Sequence, residues 1–163
     1  MIYRLKSESG RKGNKEIIFF RYIIFLLLLS LNAILAGQQY NFHTFSSAEG
    51  LPQPYVYTVT EDRNGYLWAG TGDGLARYNG FEIKSFNTSD SLSENFVSAG
   101  YAGKRYTWFG HRGGGISFTD GRTIGKVKYP RDEPESVVGF TEDSEGRTWV
   151  GYQSGSIFQV IDN

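Results

Sequence analysis

Residues 50–80 read GLPQPYVYTVTEDRNGYLWAGTGDGLARYNG, and this stretch decides the fold. Residues 55–60 are a run of Tyr, Val and Thr, which suits a pleated, half-buried surface. Asp62-Arg63-Asn64-Gly65 then predicts a turn, because Asn-Gly accepts the positive φ of hairpin connections. Residues 66–71 form a second strand carrying Trp68, and Gly72-Asp73-Gly74 turns the chain again. Residues 75–78 form a third strand, followed by a second hairpin signal at Asn79-Gly80. Residues 81–86 alternate Phe-Glu-Ile-Lys-Ser-Phe, the pattern of an edge strand with one wet face. The unit is thus four short antiparallel strands.

The unit returns along the chain. Trp68, Trp108 and Trp149 stand 40 and 41 residues apart. Their frames are Leu67-Trp68-Ala69-Gly70, Thr107-Trp108-Phe109-Gly110 and Thr148-Trp149-Val150-Gly151. Glu61-Asp62 and Gly65 recur as Glu142-Asp143 and Gly146. Upstream, Phe45 corresponds to Phe86, Leu51 to Leu92, Tyr55 to Phe96 and Val56 to Val97. A period near 40 with strand-rich units is the signature of a β-propeller. The expected fold is therefore all-β: a partial propeller of three blades of ~41 residues. Blade one covers 50–87, blade two 91–129, and blade three 134–163 without its outer strand. Residues 40–46 match 81–86 in phase and are expected as a further outer strand. No helical periodicity follows Gly37. The signature residues are Trp68, Gly70 and Gly74, then Trp108, Gly110 and Gly115, then Trp149, Gly151 and Gly155.

Composition agrees. Of 163 residues, 16 % are aromatic, and 21 Gly stand against four Pro. There is no Cys, which excludes disulfides, thiolate metal sites and thiol chemistry. Residues 1–37 hold six of the 17 basic and two of the 17 acidic groups, leaving 11 against 15 in the body, a net of −4. A weakly acidic body offers no electrostatic footprint for nucleic acid.

The first 37 residues are expected to be a targeting segment. Arg4, Lys6, Arg11, Lys12, Lys15 and Arg21 form a basic region, and residues 22–36 are an apolar run of 15 residues. Cleavage is expected between Gly37 and Gln38, the order of parts being that of a secretory signal peptide. The run falls short of the roughly 20 residues of a membrane span. An uncleaved anchor is the alternative, because residues 17–20 add apolar length across Arg21. Gln38 stands where a lipobox requires Cys, so lipid attachment there is excluded.

The chemistry-bearing residues do not assemble a reaction centre. A Trp at one fixed place per blade is expected to pack between blades rather than to stack on a ligand. The Glu-Asp pairs match no calcium loop and are expected to be turn and solvent-facing groups. His43 and His111 lie in separate repeats without metal-ligand spacing. Gly113-Gly114-Gly115 lacks the Lys-Ser/Thr and helix of a phosphate loop and reads as a hairpin turn. Ser91, Ser93 and Ser98 lack a nucleophile-elbow context. No catalytic residue, metal ligand or cofactor is expected, and the sequence names no ligand-binding residue.

Three segments together carry a family resemblance. They are Gly50-Leu51-Pro52, residues 59–71 and Gly74-Leu75-Ala76-Arg77-Tyr78-Asn79-Gly80. They resemble the two-component regulator propeller repeat. The third unit departs from the pattern at Tyr152-Gln153-Ser154. In the second, Tyr101-Ala102 stands in place of Glu-Asp and Arg105 in place of the turn glycine. The resemblance covers roughly residues 40–162. It implies an extracytoplasmic, periplasmic sensing segment of a histidine kinase or hybrid regulator, with an extracellular ligand, glycans among the candidates. No kinase helix, helix-turn-helix or second hydrophobic span is seen. A secreted lectin-like or adhesive module is the alternative, and a propeller-fold lyase a weaker one.

Propellers close with four to eight blades. Three units are expected either to be an N-terminal portion of a longer sensor, or to associate with another copy through open blade faces.

Overall fold

A computed structural model describes residues 10–35, 40–127 and 135–161. The chain divides into two units, residues 1–43 and 44–163.

The first unit contains α1 (Gly10–Leu35). Its side chains from Ile17 to Leu28 are exposed, apolar ones on every side. Among the described residues, no helix is long and apolar enough to cross a membrane. Arg4, Lys6, Gly37 and Gln38 lie outside the described residues.

The second unit is built from three antiparallel sheets in sequence order. Blade one has β1 (Val56–Glu61), β2 (Leu67–Thr71), β3 (Gly74–Tyr78) and β4 (Ile83–Phe86). Blade two has β5 (Val97–Ala102), β6 (Thr107–His111), β7 (Ile116–Thr119) and β8 (Ile124–Val127). Blade three has β9 (Val137–Glu142), β10 (Thr148–Tyr152) and β11 (Ile157–Val160). Strand order follows chain order in each sheet, so every connection is a hairpin. The four-strand unit read from the sequence is the unit that forms.

Two expectations need correction. Residues 40–46 form no strand. A strand persists only where a neighbour accepts its backbone groups, and no strand among the described residues pairs with this segment. Phe45 instead stacks on Tyr78, with ring centroids 4.8 Å apart. The fourth strand of blade one begins at Ile83 rather than Phe81. The Asn79 side chain accepts the amides of Phe81 and Glu82, which holds those residues in the turn and leaves Phe81 exposed. Two single 3₁₀ turns, Ser47–Glu49 and Thr88–Asp90, sit in the connections ahead of blades one and two, each closed by a capping box.

Each first strand carries a bulge. Register slips between Val56 and Thr58, between Val97 and Ala99, and between the pairs Tyr152–Val137 and Gly151–Gly139. A bulge re-aims the side chain beside it. Val56, Val97 and Val137 therefore hold the same place in their blades, opposite Thr71, His111 and Tyr152.

The core lies in the seams between blades. Trp68, Leu75, Leu92, Val97 and Phe109 bury the first seam. Ala99, Trp108, Ile116, Val137, Val150 and Tyr152 bury the second. Trp68 packs on Phe109 at 5.3 Å and Trp108 on Phe140 at 6.4 Å between centroids. The tryptophans thus occupy equivalent positions on β2, β6 and β10. Trp68 and Trp108 are buried, and Trp149 is half-buried on the outward face of blade three.

Candidate functional site

The turn between first and second strands is organised by a carboxylate. Asp62 accepts the amides of Asn64 and Tyr66 on Oδ1, at 2.8 and 3.0 Å, and the Trp68 indole N–H on Oδ2 at 2.8 Å. Asp143 does the same for Glu145, Arg147 and Trp149. Asp62 is buried, so the expectation of a solvent-facing group is wrong for it. The indole nitrogen needs an acceptor when its ring enters the seam, and the turn supplies one. Asp143 is half-buried, and its bonds to Trp149 and Arg147 hold its carboxyl well below the ordinary range.

Blade two solves the same problem differently. Ladder register pairs Glu61, Ala102 and Glu142 with the residue before each Trp, so Gly103, not Ala102, stands where Asp62 and Asp143 stand. The turn is one residue shorter, closing with Gly103 N–H on Tyr106 O at 2.9 Å. A side chain at Gly103 would collide with the Glu142 carboxylate. That carboxylate, from blade three, accepts the Lys104 amide on both oxygens at 3.0 Å. The missing aspartate is replaced across the seam.

Beside this crossing lies a cleft of about 300 Å³, lined among others by Arg105, Tyr106, Glu142, Arg147 and Gln159. Its walls are held in place. Arg147 pairs with Asp143 at 2.6 Å and Glu145 at 2.8 Å. Arg105 lies over the Tyr106 ring at 5.0 Å. The cleft offers cations, a carboxylate, an amide and an aromatic ring together. Sequence reasoning named none of these as site residues, because they come from two blades and only the seam joins them.

The opposite turns, between second and third strands, bind carboxylates of the preceding connection. Glu94 accepts Gly113 N–H at 2.8 Å and Gly115 N–H at 3.0 Å, and Glu135 accepts Ser154 N–H at 3.1 Å. The Gly113-Gly114-Gly115 turn does cradle an anion, its own Glu94. The signature glycines of these turns are not equivalent. Gly74 and Gly155 have positive φ, but in blade two it is Gly114 that does, not Gly115.

His111 is fully buried, its Nε2 2.8 Å from Ser117 Oγ. Burial holds its pKa down to about 4, against a smaller opposing pull from Glu94 and the nearby backbone carbonyls of Phe96 and Glu94. Ser117 is also fully buried, and its Oγ accepts the Ser93 amide, so the pair is packing within the seam. His43 is exposed in the other unit. Among the described residues, no three His, Asp or Glu side chains converge as metal ligands.

The fold and part of the sequence resemble those of known proteins. Residues 50–73 match the family described as two component regulator propeller. An 82-residue stretch is 37 % identical to "Histidine kinase P4" of Formosa agariphila, covering 48 % of this chain and 6 % of that protein. Two solved structures from B. thetaiotaomicron share the propeller fold. One, the extracellular domain assigned to a hybrid two component system, aligns with TM-score 0.58 at 19 % identity over 75 % of this chain and 20 % of its own. The other, assigned to a one component system, aligns with TM-score 0.56 at 17 % identity over 74 % of this chain and 18 % of its own. The chain thus spans about a fifth of the propeller structures it resembles.

Proposed function

We propose that this chain is one section of the extracytoplasmic, ligand-sensing propeller of a two-component signal-transduction sensor. The observation that carries this reading is the regulator propeller repeat at residues 50–73, set in seam-packed blades. The small share of the histidine kinase that the chain matches suits a section of a longer sensor. The apolar, uncovered side chains of α1 behind basic residues suit an export signal, cleaved between Gly37 and Gln38, that delivers the blades to the periplasmic side.

The ligand meets the cleft at the seam of blades two and three. A polyhydroxylated ligand needs donors and acceptors together with an aromatic edge, and Arg105, Glu142, Gln159 and Tyr106 supply them. A glycan is the class that fits.

Calorimetry against a panel of neutral and acidic oligosaccharides tests this. Saturable binding of at least one, weakened tenfold or more by Tyr106→Ala and by Gln159→Ala, is expected. Binding that ignores both substitutions places the ligand elsewhere, and no binding across the panel removes the glycan reading. N-terminal sequencing of exported chain should begin at Gln38; a retained Met1 means an anchor.

A further inference from the structure

The turn between β6 and β7 presents a cation without a counter-charge. Arg112 stands exposed in this turn. Its amide donates to Phe96 O at 3.1 Å, and its guanidinium lies over the Phe96 ring, 5.1 Å from the centroid. Among the described residues it pairs with no carboxylate. Glu94 is occupied by the amides of Gly113 and Gly115. Arg147, by contrast, is held by Asp143 and Glu145 together. Stacking on a ring uses the face of a guanidinium and leaves the N–H donors along its edge open.

Blade one adds a second ring. Tyr57 packs on Phe96 with centroids 4.6 Å apart and planes tilted by 44°, and it remains 53 % exposed. Tyr57 is the bulged residue of β1, between Val56 and Thr58. The bulged residue of β5 is Ser98, whose hydroxyl donates to the Val137 carbonyl of blade three at 2.8 Å. Both side chains thus lean toward the following blade. Tyr57 therefore lies at the internal seam of blades one and two, not on the outer face of blade one.

We infer that Tyr57, Phe96 and Arg112 form a subsite for a sugar ring that bears a carboxylate. A pyranose has one face of C–H bonds, which stacks on an aromatic ring, and polar edges. A carboxylate on that edge meets the guanidinium fork with two parallel hydrogen bonds. A neutral sugar leaves the fork unmatched, and a small acid without a ring leaves Tyr57 uncovered. The turns on either side of β6 lie at its opposite ends, so this site is on the rim opposite the Glu142 cleft and does not depend on it.

Calorimetry of the exported full chain with oligogalacturonate and oligomannuronate, each also as its neutral methyl ester, tests this. Saturable binding of at least one acid form is expected, with its ester tenfold or more weaker. Arg112→Gln and Tyr57→Ser should each weaken the acid form tenfold or more, and Arg112→Lys, which keeps the charge and loses the fork, should weaken it less. These variants should melt with the unaltered chain, because both side chains are exposed. Lys126→Gln, which removes an exposed cation of β8, should change nothing. No binding of either acid, or an acid form no tighter than its ester, overturns the proposal. So does binding that Arg112→Gln and Lys126→Gln weaken equally. Binding that ignores Arg112→Gln but falls with Tyr106→Ala also overturns it, and leaves the seam-cleft reading standing.

Discussion

The indole N–H of Trp68 donates to Asp62 Oδ2 at 2.8 Å, tying the seam residue of blade one to the turn six positions before it. The same carboxylate accepts two amides of that turn. Asp62→Ala strips an acceptor from all three donors at once, one of them the buried indole. Hydrogen bonds to a charged group contribute about 1.5–3 kcal/mol, and a loss of that size is expected in urea denaturation. Asp62→Asn, which keeps an acceptor for the turn amides, should lose less. An unchanged midpoint in the Ala variant would show that the bond adds nothing.

Trp108 is enclosed by Tyr106, Phe118 and Phe140. Its replacement by Ala should cost about 3–5 kcal/mol, the range for emptying a large aromatic from a core. Trp149, half-buried at the open face of blade three, should cost less than half as much in dilute solution. Equal losses for the two variants would contradict the packing described.

Glu142 should govern the hydrogen exchange of a residue in another blade. The Lys104 amide depends on it at 3.0 Å, whereas the Asn64 amide is held by Asp62 within its own blade. Glu142→Ala should speed exchange at Lys104 by tenfold or more and leave Asn64 unchanged. Equal acceleration at both would indicate general loosening rather than loss of a specific clamp.

Stability should depend on pH through His111. Its pKa in the fold, about 4, lies below the ordinary 6.5 because the charged ring would be desolvated. Between those values the unfolded chain binds a proton that the folded chain refuses. The contribution is fully present above 6.5 and is lost as pH falls through this window toward 4. At about 1.4 kcal/mol per unit, the loss is on the order of 3 kcal/mol. His111→Gln should flatten denaturation midpoints across that range. A slope that survives the substitution across that range assigns the effect to other groups, but not to Asp143, whose depressed carboxyl loses its contribution only at lower pH, below the ordinary carboxylate value.

The strand ladder was legible because each turn announces itself: Asn64-Gly65, Asn79-Gly80 and the glycines after Trp68 sit where the backbone reverses. The buried role of Asp62 was not, since Glu61 and Asp62 look alike in a polar turn and only the fold brings the indole over one of them. The spacing of the tryptophans hides a change of turn length: the turn before Trp108 is one residue shorter than in blades one and three, so counting from the Trp puts Ala102 in the place of Gly103. After the Trp, the positive φ falls six residues on, at Gly74, Gly114 and Gly155, whereas matching the residue ahead of the third strand picks out Gly115. The bulge at each first strand leaves no mark in composition. The 40–46 segment reads as a strand because it matches 81–86 in repeat phase, but phase supplies no neighbour to pair with.

The carboxylate that Glu142 lends to Lys104 bears on how such arrays grow. Blade one, with Asp62 inside its own turn, is a self-sufficient part that duplication can copy whole. Blade two has no acid in its own turn and leans on the next unit for one. Glu61 holds in blade one the place of Glu142, so a following unit of either kind can serve. Moving blade two beside a neighbour without an acid at the Glu142 position would leave the Lys104 amide without its acceptor.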